Sequence, residues 1–463
     1  MKWFHLVLLC AVACTKEQPP AKGSAPLIVL ASFDTTRADA IGAYGDPDAV
    51  TPVVDGLAAN GVRFEWALAT LPTTLGSHTS MMSGLDTHGH RVPSNGHPVP
   101  EDVPLLADRL AAAGWDRLAV VGAMPLESDM GLDRGFRVYD DTEYASVLGK
   151  PRRTADEVTD KALAAIDARP SDKPTFLFVH YYDPHSPWEA APQAIRDKFV
   201  PASFELDRKG FDGLEVFRQR ARRGLKLKRE RVEHARQLYL AQVHWTDEQF
   251  GRLLDGLKTR GLMDDSLVIM TSDHGEMLNE RRLGQIYTHG PDVDLPVIRV
   301  PLVVSGTGKF ATPKGQVVER QARLQDIANT VLTAAGLEAN LGDGEDLAAA
   351  WRGELGPPGP HYAEATRSGL NKKLGKPEEG AWANIRFERT VVDSNLALIY
   401  TPWKDEPSTL YTVSAEQPEV TNPEETVRMR GLLDAWDATA PSGQTHQIDE
   451  STAEALKLLG YIE

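Results

Sequence analysis

The sequence predicts an α/β fold, a doubly wound and mostly parallel sheet carrying a smaller C-terminal α+β lobe. Three observations predict it. Continuous apolar runs, the kind buried on both faces of a parallel sheet, stand at Pro26 to Phe33, Thr175 to Tyr181 and Ser266 to Thr271. Segments of helical periodicity alternate with them, as a doubly wound core requires. Each run also stops at Asp or His: PLIVLASFD at Asp34, TFLFVHYYDPH at His185, and LVIMTSDHGE at Asp273 and His274. In an open α/β sheet, ligands bind at the carboxyl ends of strands, so three strands ending this way predict one metal site. Taken alone, Asp273-His274 would read as a capping or surface pair.

In chain order, the N-terminus reads as a processing signal rather than as part of the fold. Lys2 is a short positive segment, and Trp3 to Val12 is apolar but too short to span a bilayer. Small residues at Ala11 and Ala13 suit ordinary signal cleavage. Cys14 directly after Ala13 resembles a bacterial lipobox, with Ala11 where Leu is usual. Residues 1–13 are therefore expected to be a signal peptide, and residues 14–24 a tether lipid-anchored at Cys14. The other cysteine, Cys10, is lost with the signal, and an exported chain with one remaining cysteine is better anchored than bridged. The expected place is the bacterial cell envelope, on the periplasmic or outer-membrane face.

The body then alternates. Pro52 to Asn60 is a short helix with one apolar face. Leu105 to Ala113 is another, closed by Gly114. Leu118 to Gly122 is a strand, Asp156 to Ala168 an amphipathic helix, and Arg299 to Ser305 (RVPLVVS) a further strand. Past about residue 345 the character changes. GPPGP at 356–360 is a breaker. Arg389 to Asp393 and Leu396 to Thr401 flank Ser394-Asn395 as a hairpin, with Leu410 to Val413 as a third strand. Glu424 to Trp436 and Glu450 to Leu459 are helical. These breaks divide the chain into an α/β catalytic unit over 25–345 and a smaller lobe over 346–463. A formal net charge of −16 argues against a nucleic-acid partner, because a phosphate backbone wants a basic face. The one basic run, Arg218 to Arg231, reads as a solvated helix or as a face for an anionic lipid or polysaccharide. His180, inside a strand, reads as a satisfied core histidine. Trp188 and Trp245 read as core residues or as a sugar platform.

Several stretches, in order, carry a family resemblance: LIVLASFDTTRADAIGAYG, TPVVDGLAANGVRFEWALA, LPTTLGSHTSMMSG, GLDRGFRVYDD, FLFVHYYDPHSPW, TSDHGEMLNE with a later THG, RVPLVVSG and the ending LLGYIE. From about residue 25 to its C-terminus the chain resembles the sulfatase family of the alkaline-phosphatase-like superfamily. The resemblance implies an alkaline-phosphatase-like fold and an ester hydrolase. It implies Asp34, Asp273 and His274 as metal ligands, with Thr35 where many members have a further acid. Thr74 falls at the nucleophile position and would join the metal ligands. His78 stands where the signature has arginine. His185 matches a histidine that contacts substrate oxygens, and His289 a later basic group facing the leaving group. Thr74, His78, His185 and His289 form the expected catalytic set.

Thr74 is the departure with the largest consequence. Sulfatases oxidise a cysteine or serine to formylglycine; a threonine cannot become that aldehyde, so no formylglycine is expected. Superfamily members with a threonine nucleophile include phosphodiesterases and phosphoethanolamine transferases. A threonine hydroxyl needs activation, and one divalent metal ion bound at Asp34, Asp273 and His274 would lower its pKa. Two carboxylates and an imidazole suit Mn²⁺ or Zn²⁺ better than Ca²⁺. Asp183, His185 and His289 could form a second metal site; otherwise Asp183-Pro184-His185 is a turn with a hydrogen-bonding histidine. The expected function is a metal-dependent hydrolase of sulfate or phosphate esters. The alternatives are a phosphodiesterase or phosphoethanolamine-like transferase, and a catalytically inactive binding lipoprotein that kept the fold. The partner would be an anionic ester, on a polysaccharide or a lipid headgroup.

Overall fold

The computed structural model describes residues 25–142, 146–147, 150–170, 172–188, 190–200, 229–278, 280, 287–366, 387–402, 404–414 and 417–441. The signal, the tether with Cys14, most of the basic run at 218–231 and the helix expected at 450–459 lie outside the described residues.

Eight strands form the main sheet: β1 (Leu27–Phe33), β2 (Val62–Phe64), β3 (Asp116–Val120), β4 (Val138–Asp140), β5 (Thr175–Tyr181), β6 (Ser266–Thr271), β7 (Leu302–Gly306) and β8 (Gln316–Val318). Their spatial order is β8-β2-β7-β6-β1-β5-β3-β4. The three apolar runs lie side by side at the centre, β1 between β5 and β6 and parallel to both. Every residue of these three strands is buried. Only β7 breaks the parallel pattern beside them, pairing antiparallel with β6 and β2. The register carries the functional consequence. Ser32 lies opposite His180 on one side and Thr271 on the other. The chain therefore leaves all three strands at one edge, at nearly one level, and Asp34, Asp183 and Asp273 emerge together.

Side chains of β1 alternate between two cores, as the two-residue period of a strand requires. Ile28 and Leu30 join Leu75, Met81, Leu106, Leu110, Ile327 and Val331. These come from α2 (Thr74–Ser83), α3 (Leu106–Ala112) and α6 (Asp326–Ala334). Leu27, Val29, Ala31 and Phe33 join Val54, Val158, Ile166, Tyr239 and Leu253 on the opposite face. Those come from α1 (Pro52–Ala59), α4 (Ala155–Asp167) and α5 (Arg229–Thr259). Helices on both faces of a mostly parallel sheet are the predicted doubly wound fold. Trp188 is fully buried and packs edge-on against Tyr239 and Tyr287, and Trp245 packs against the same core. Both are core residues, not a sugar platform.

One expected strand is two. Pro301 divides Arg299 to Ser305, because proline has no N–H for a ladder. Arg299–Val300 pairs instead with Ala67–Leu68 in a separate three-stranded sheet. Toward the C-terminus, β9 (His361–Thr366), β10 (Phe387–Asp393), β11 (Leu396–Tyr400) and β12 (Ser408–Thr412) form an antiparallel sheet in chain order. The predicted hairpin turns at Ser394, whose φ is 58°. Sequence reading had no strand at β9, whose HYAEAT is poor in β-branched residues. Helix α7 (Pro423–Asp437) covers one face through Met429, Leu433 and Trp436. Ala363, Ala365, Val392 and Ile399 press the other face onto Leu68, Leu295 and Ile298 of the α/β body. Among the described residues no helix is long and apolar enough to cross a membrane.

Candidate metal centre

Asp34 is the first residue beyond β1, and its N–H is held by the carbonyl of Tyr181 at 2.9 Å. The chain then turns sharply: Thr35 has φ 51°, costly for a β-branched residue by about 1–3 kcal/mol. Two bonds hold it there. Its N–H donates to Asp273 Oδ1 at 3.1 Å, and its carbonyl accepts from Tyr239 at 2.9 Å. Asp273 and His274 leave β6 beside it. His274 Nδ1 donates to the carbonyl of Gly275 at 2.9 Å, so Nε2 faces away from the backbone. Glycine at 275 is a packing requirement, because a Cβ there would overlap the Pro296 carbonyl oxygen.

Asp34, Asp273 and His274 are fully buried. Each offers a ligand atom within 4.8 Å of the other two. Asp34 Oδ1, Asp273 Oδ2 and His274 Nε2 have no hydrogen-bond partner. Three buried acceptors converging without a donor is a costly arrangement. A divalent cation is the ligand that satisfies all three at once, so the residues present fit a metal ion. Burial, and then the charge of Asp273, push the Asp34 carboxyl well above its ordinary pKa. Two carboxylates sharing a dry site cannot both ionise cheaply without a cation.

Thr74 opens α2, a helix that sequence reading had not marked and whose ten residues are all buried. Its Oγ1 donates to Asp34 Oδ2 at 3.4 Å. The positive end of the α2 dipole thus lies where an anion would sit. One turn on, His78 donates from Nδ1 to the Thr74 carbonyl at 2.8 Å and accepts the Ser32 hydroxyl at Nε2, 2.9 Å away. Its ring is fully buried, and burial lowers its pKa to about 3. This differs from its expected place in the catalytic set. An imidazole with both nitrogens engaged inside the protein has no atom left for substrate, and His78 instead braces Thr74 against β1.

His185 and His289 stand on the other side of the centre, their rings 5.0 Å apart. His185 stacks on Tyr182 at 4.5 Å and donates from Nδ1 to the Ser186 carbonyl at 2.7 Å. The ring of His289 lies 4.5 Å from that of His274. His289 keeps 7% of its surface exposed and His185 keeps 2%, whereas Asp34, Thr74, Asp273 and His274 keep none. The centre is therefore least enclosed on the side of these two rings. Glu276 was missed in the sequence, although it follows His274 by two positions. Its Oε1 lies 3.3 Å from His289 Nδ1, which holds that ring in place. His180 is buried as expected, but it is no ordinary core residue: its Nε2 is 3.1 Å from Asp34 Oδ2.

The second metal site is not formed. Among the described residues, the groups able to share an ion are Asp34 with Asp273 and His274, and the carboxylates Asp292, Asp294 and Glu388. Asp183 does not join His185 and His289. It is buried near Arg152 and the first turn of α4, and burial, opposed by Arg152, raises its pKa to about 7. This has a measurable sign. The folded state holds a proton that the unfolded state has lost above pH 4, so this contribution to stability is full below about pH 4. It is lost as pH rises to 7, at about 1.4 kcal/mol per unit. Asp183→Asn is expected to flatten that part of a denaturation-versus-pH curve and to leave metal stoichiometry unchanged. A variant that loses metal would restore Asp183 as a ligand.

A family model described as Sulfatase matches residues 26–337. The ulvan-active sulfatase of Formosa agariphila is 26% identical over 356 residues, which are 72% of this chain and 65% of that protein. The chain thus spans just under two thirds of that relative's length. The phosphonate monoester hydrolase of Agrobacterium radiobacter superposes with a TM-score of 0.65 at 20% identity, over 89% of this chain and 95% of that one. A structure in complex with its substrate D-glucosamine-2-N,6-O-disulfate superposes with a TM-score of 0.67 at 19% identity, over 90% and 98%. At these identities the structural likeness shows the fold.

Proposed function

The chain belongs to the sulfatase family, and on that footing we propose that it is a metal-dependent hydrolase of sulfate or phosphate esters with Thr74 as nucleophile in place of formylglycine. One observation carries this reading: three buried ligand atoms without partners converge beside a threonine hydroxyl. A divalent ion held by Asp34, Asp273 and His274, Mn²⁺ or Zn²⁺ before Ca²⁺, would make the Thr74 hydroxyl more acidic and draw charge from the ester oxygens.

The rest follows from the chain's own groups. Thr74 Oγ attacks phosphorus or sulfur in line, and its proton passes toward Asp34 Oδ2. The alcohol leaves on the side of His185 and His289. Glu276 keeps the His289 ring oriented for proton transfer to that alcohol. Water then attacks the same atom, breaks its bond to Thr74 and regenerates the hydroxyl, with His185 or His289 as base. Thr74 favours phosphorus within this class. A formylglycine enzyme expels sulfate from a hemiacetal, whereas a threonine ester must be opened at the central atom. A phosphodiesterase is therefore the second reading, and a phosphoryl transferase is the same chemistry with an alcohol in place of water. The relatives' names mention ulvan and a disulfated glucosamine, and we place the substrate among anionic esters of polysaccharides or lipid headgroups. Lipidation at Cys14 would hold the enzyme at the bacterial envelope, where such esters lie.

The test is hydrolysis of an aryl sulfate, an aryl phosphate and a bis-aryl phosphodiester by protein loaded with Mn²⁺ or Zn²⁺. Turnover of at least one is expected, abolished by a chelator and restored by metal. Protein that takes up no metal and turns over none of the three would be the inactive binding form, and the enzymatic reading would be wrong.

A further inference from the structure

Asp34 has two carboxylate oxygens, and they are not equivalent. Oδ2 receives Thr74 Oγ1 at 3.4 Å and His180 Nε2 at 3.1 Å. Oδ1 receives nothing. We propose that His180 is a positioning residue that sets this difference, holding Oδ2 so that Asp34 meets the metal through Oδ1 alone. The inference rests on the metal-dependent reading above.

The tautomer follows from the neighbours. Gly122 N–H points at His180 Nδ1 at 3.4 Å. A backbone N–H can only donate, so Nδ1 carries the lone pair and the ring hydrogen is on Nε2. That hydrogen faces a carboxylate oxygen, which can only accept. His180 is therefore a fixed donor to Asp34 and cannot be a metal ligand through the same nitrogen. Its own place is set by three strands. It lies on β5 opposite Ser32 of β1, and Gly122 reaches it from just beyond β3. The approach is close: a Cβ on Gly122 would sit 2.9 Å from the His180 carbonyl oxygen and 3.2 Å from Tyr182 Cβ. The glycine that ends this strand keeps the N–H within reach of the ring.

The consequence is for ligand geometry. An unheld carboxylate can rotate and offer a cation either oxygen or both. With Oδ2 tied to His180, Asp34 is preorganised to bind through one atom, and the imidazole neutralises part of the charge left on the other. Groups that orient a metal ligand in this way typically contribute about 10–100-fold to affinity.

The test is metal affinity, not turnover. His180→Phe fills the ring's space with no donor, and His180→Gln keeps a side-chain N–H that can reach Oδ2. Zn²⁺ and Mn²⁺ dissociation constants are measured by competition with a chromophoric chelator, beside thermal unfolding of the metal-free chains. His180→Phe is expected to weaken binding about 10–100-fold, and His180→Gln to recover most of that loss. Metal-free unfolding of the two variants should be alike. Binding by His180→Phe within about threefold of wild type overturns the proposal, and so does equal weakening in His180→Gln. Should His180→Phe fail to fold, His180→Leu takes its place with the same criteria. A wild-type chain that takes up no metal overturns the parent reading and this one with it; a wild type that binds while the variants bind equally well overturns this one alone.

Discussion

Thr74→Val is expected to lower kcat/KM by about 10⁴–10⁶-fold, on the order of 5–8 kcal/mol of transition-state stabilisation. Valine reproduces the shape and β-branching of threonine at the start of α2, a site with no exposed surface. The hydroxyl is what is lost, and with it the long hydrogen bond of 3.4 Å to Asp34. That oxygen of Asp34 keeps His180 as a donor, so folding stability should change by about 1 kcal/mol or less. Asp34 Oδ1, Asp273 and His274 are untouched, and metal should still bind with wild-type stoichiometry. The combination of bound metal, native unfolding temperature and lost turnover separates a nucleophile from a structural residue. If turnover of the best of the three aryl substrates falls by less than about tenfold, water attacks the ester directly and Thr74 is not the nucleophile.

Asp273→Asn should abolish both metal uptake and turnover. The two oxygens of Asp273 have separate duties. Oδ1 accepts from Thr35 N–H and His274 N–H, at 3.1 and 2.9 Å. Asparagine keeps an oxygen there and so keeps the turn at Thr35. Oδ2 is the atom left open toward the cation, and asparagine presents an NH₂ group instead, which repels one. In the metal-free protein the same change removes the carboxylate that, after burial, raises the Asp34 pKa. Asp34 is thereby relieved, while the attraction of the Asp273 charge to His274 and His78 is lost with it. Wild-type protein should gain about 4 kcal/mol from metal at a thousandfold excess over Kd, and lose it to a chelator. The variant should respond to neither. Thermal unfolding with and without metal reads both effects. A variant that binds metal as tightly as wild type would remove Asp273 from the centre.

Much of this centre was legible in the chain. The three apolar runs became the three central strands, and the residues that end them are Asp34, Asp273 and His274. The motif resemblance located Thr74, and the structure places its hydroxyl against Asp34. Other residues could be named but not oriented. His78 stands at the signature's arginine position, in the expected catalytic set, and spends both nitrogens on Thr74 and Ser32. Asp183, a candidate for a second metal with His185 and His289, is instead buried near Arg152. His180 reads as core in the sequence, and nothing local marks Glu276. In each of these the question is which way a side chain points once the strand has ended, and neighbouring letters do not answer it.

The sequence alone therefore established the sheet, its apolar centre and the edge at which ligands would gather. It could do so because a buried strand writes its length and both its faces into consecutive residues. The tertiary structure assigned the duties at that edge. His180 and Asp34 are 146 positions apart, and they meet because β1 and β5 pair in one register. Whether an imidazole donates to a carboxylate, braces a helix or awaits a substrate depends on partners brought from other strands. That pairing is a property of the packed chain, set by register and close approach, and no local periodicity records it.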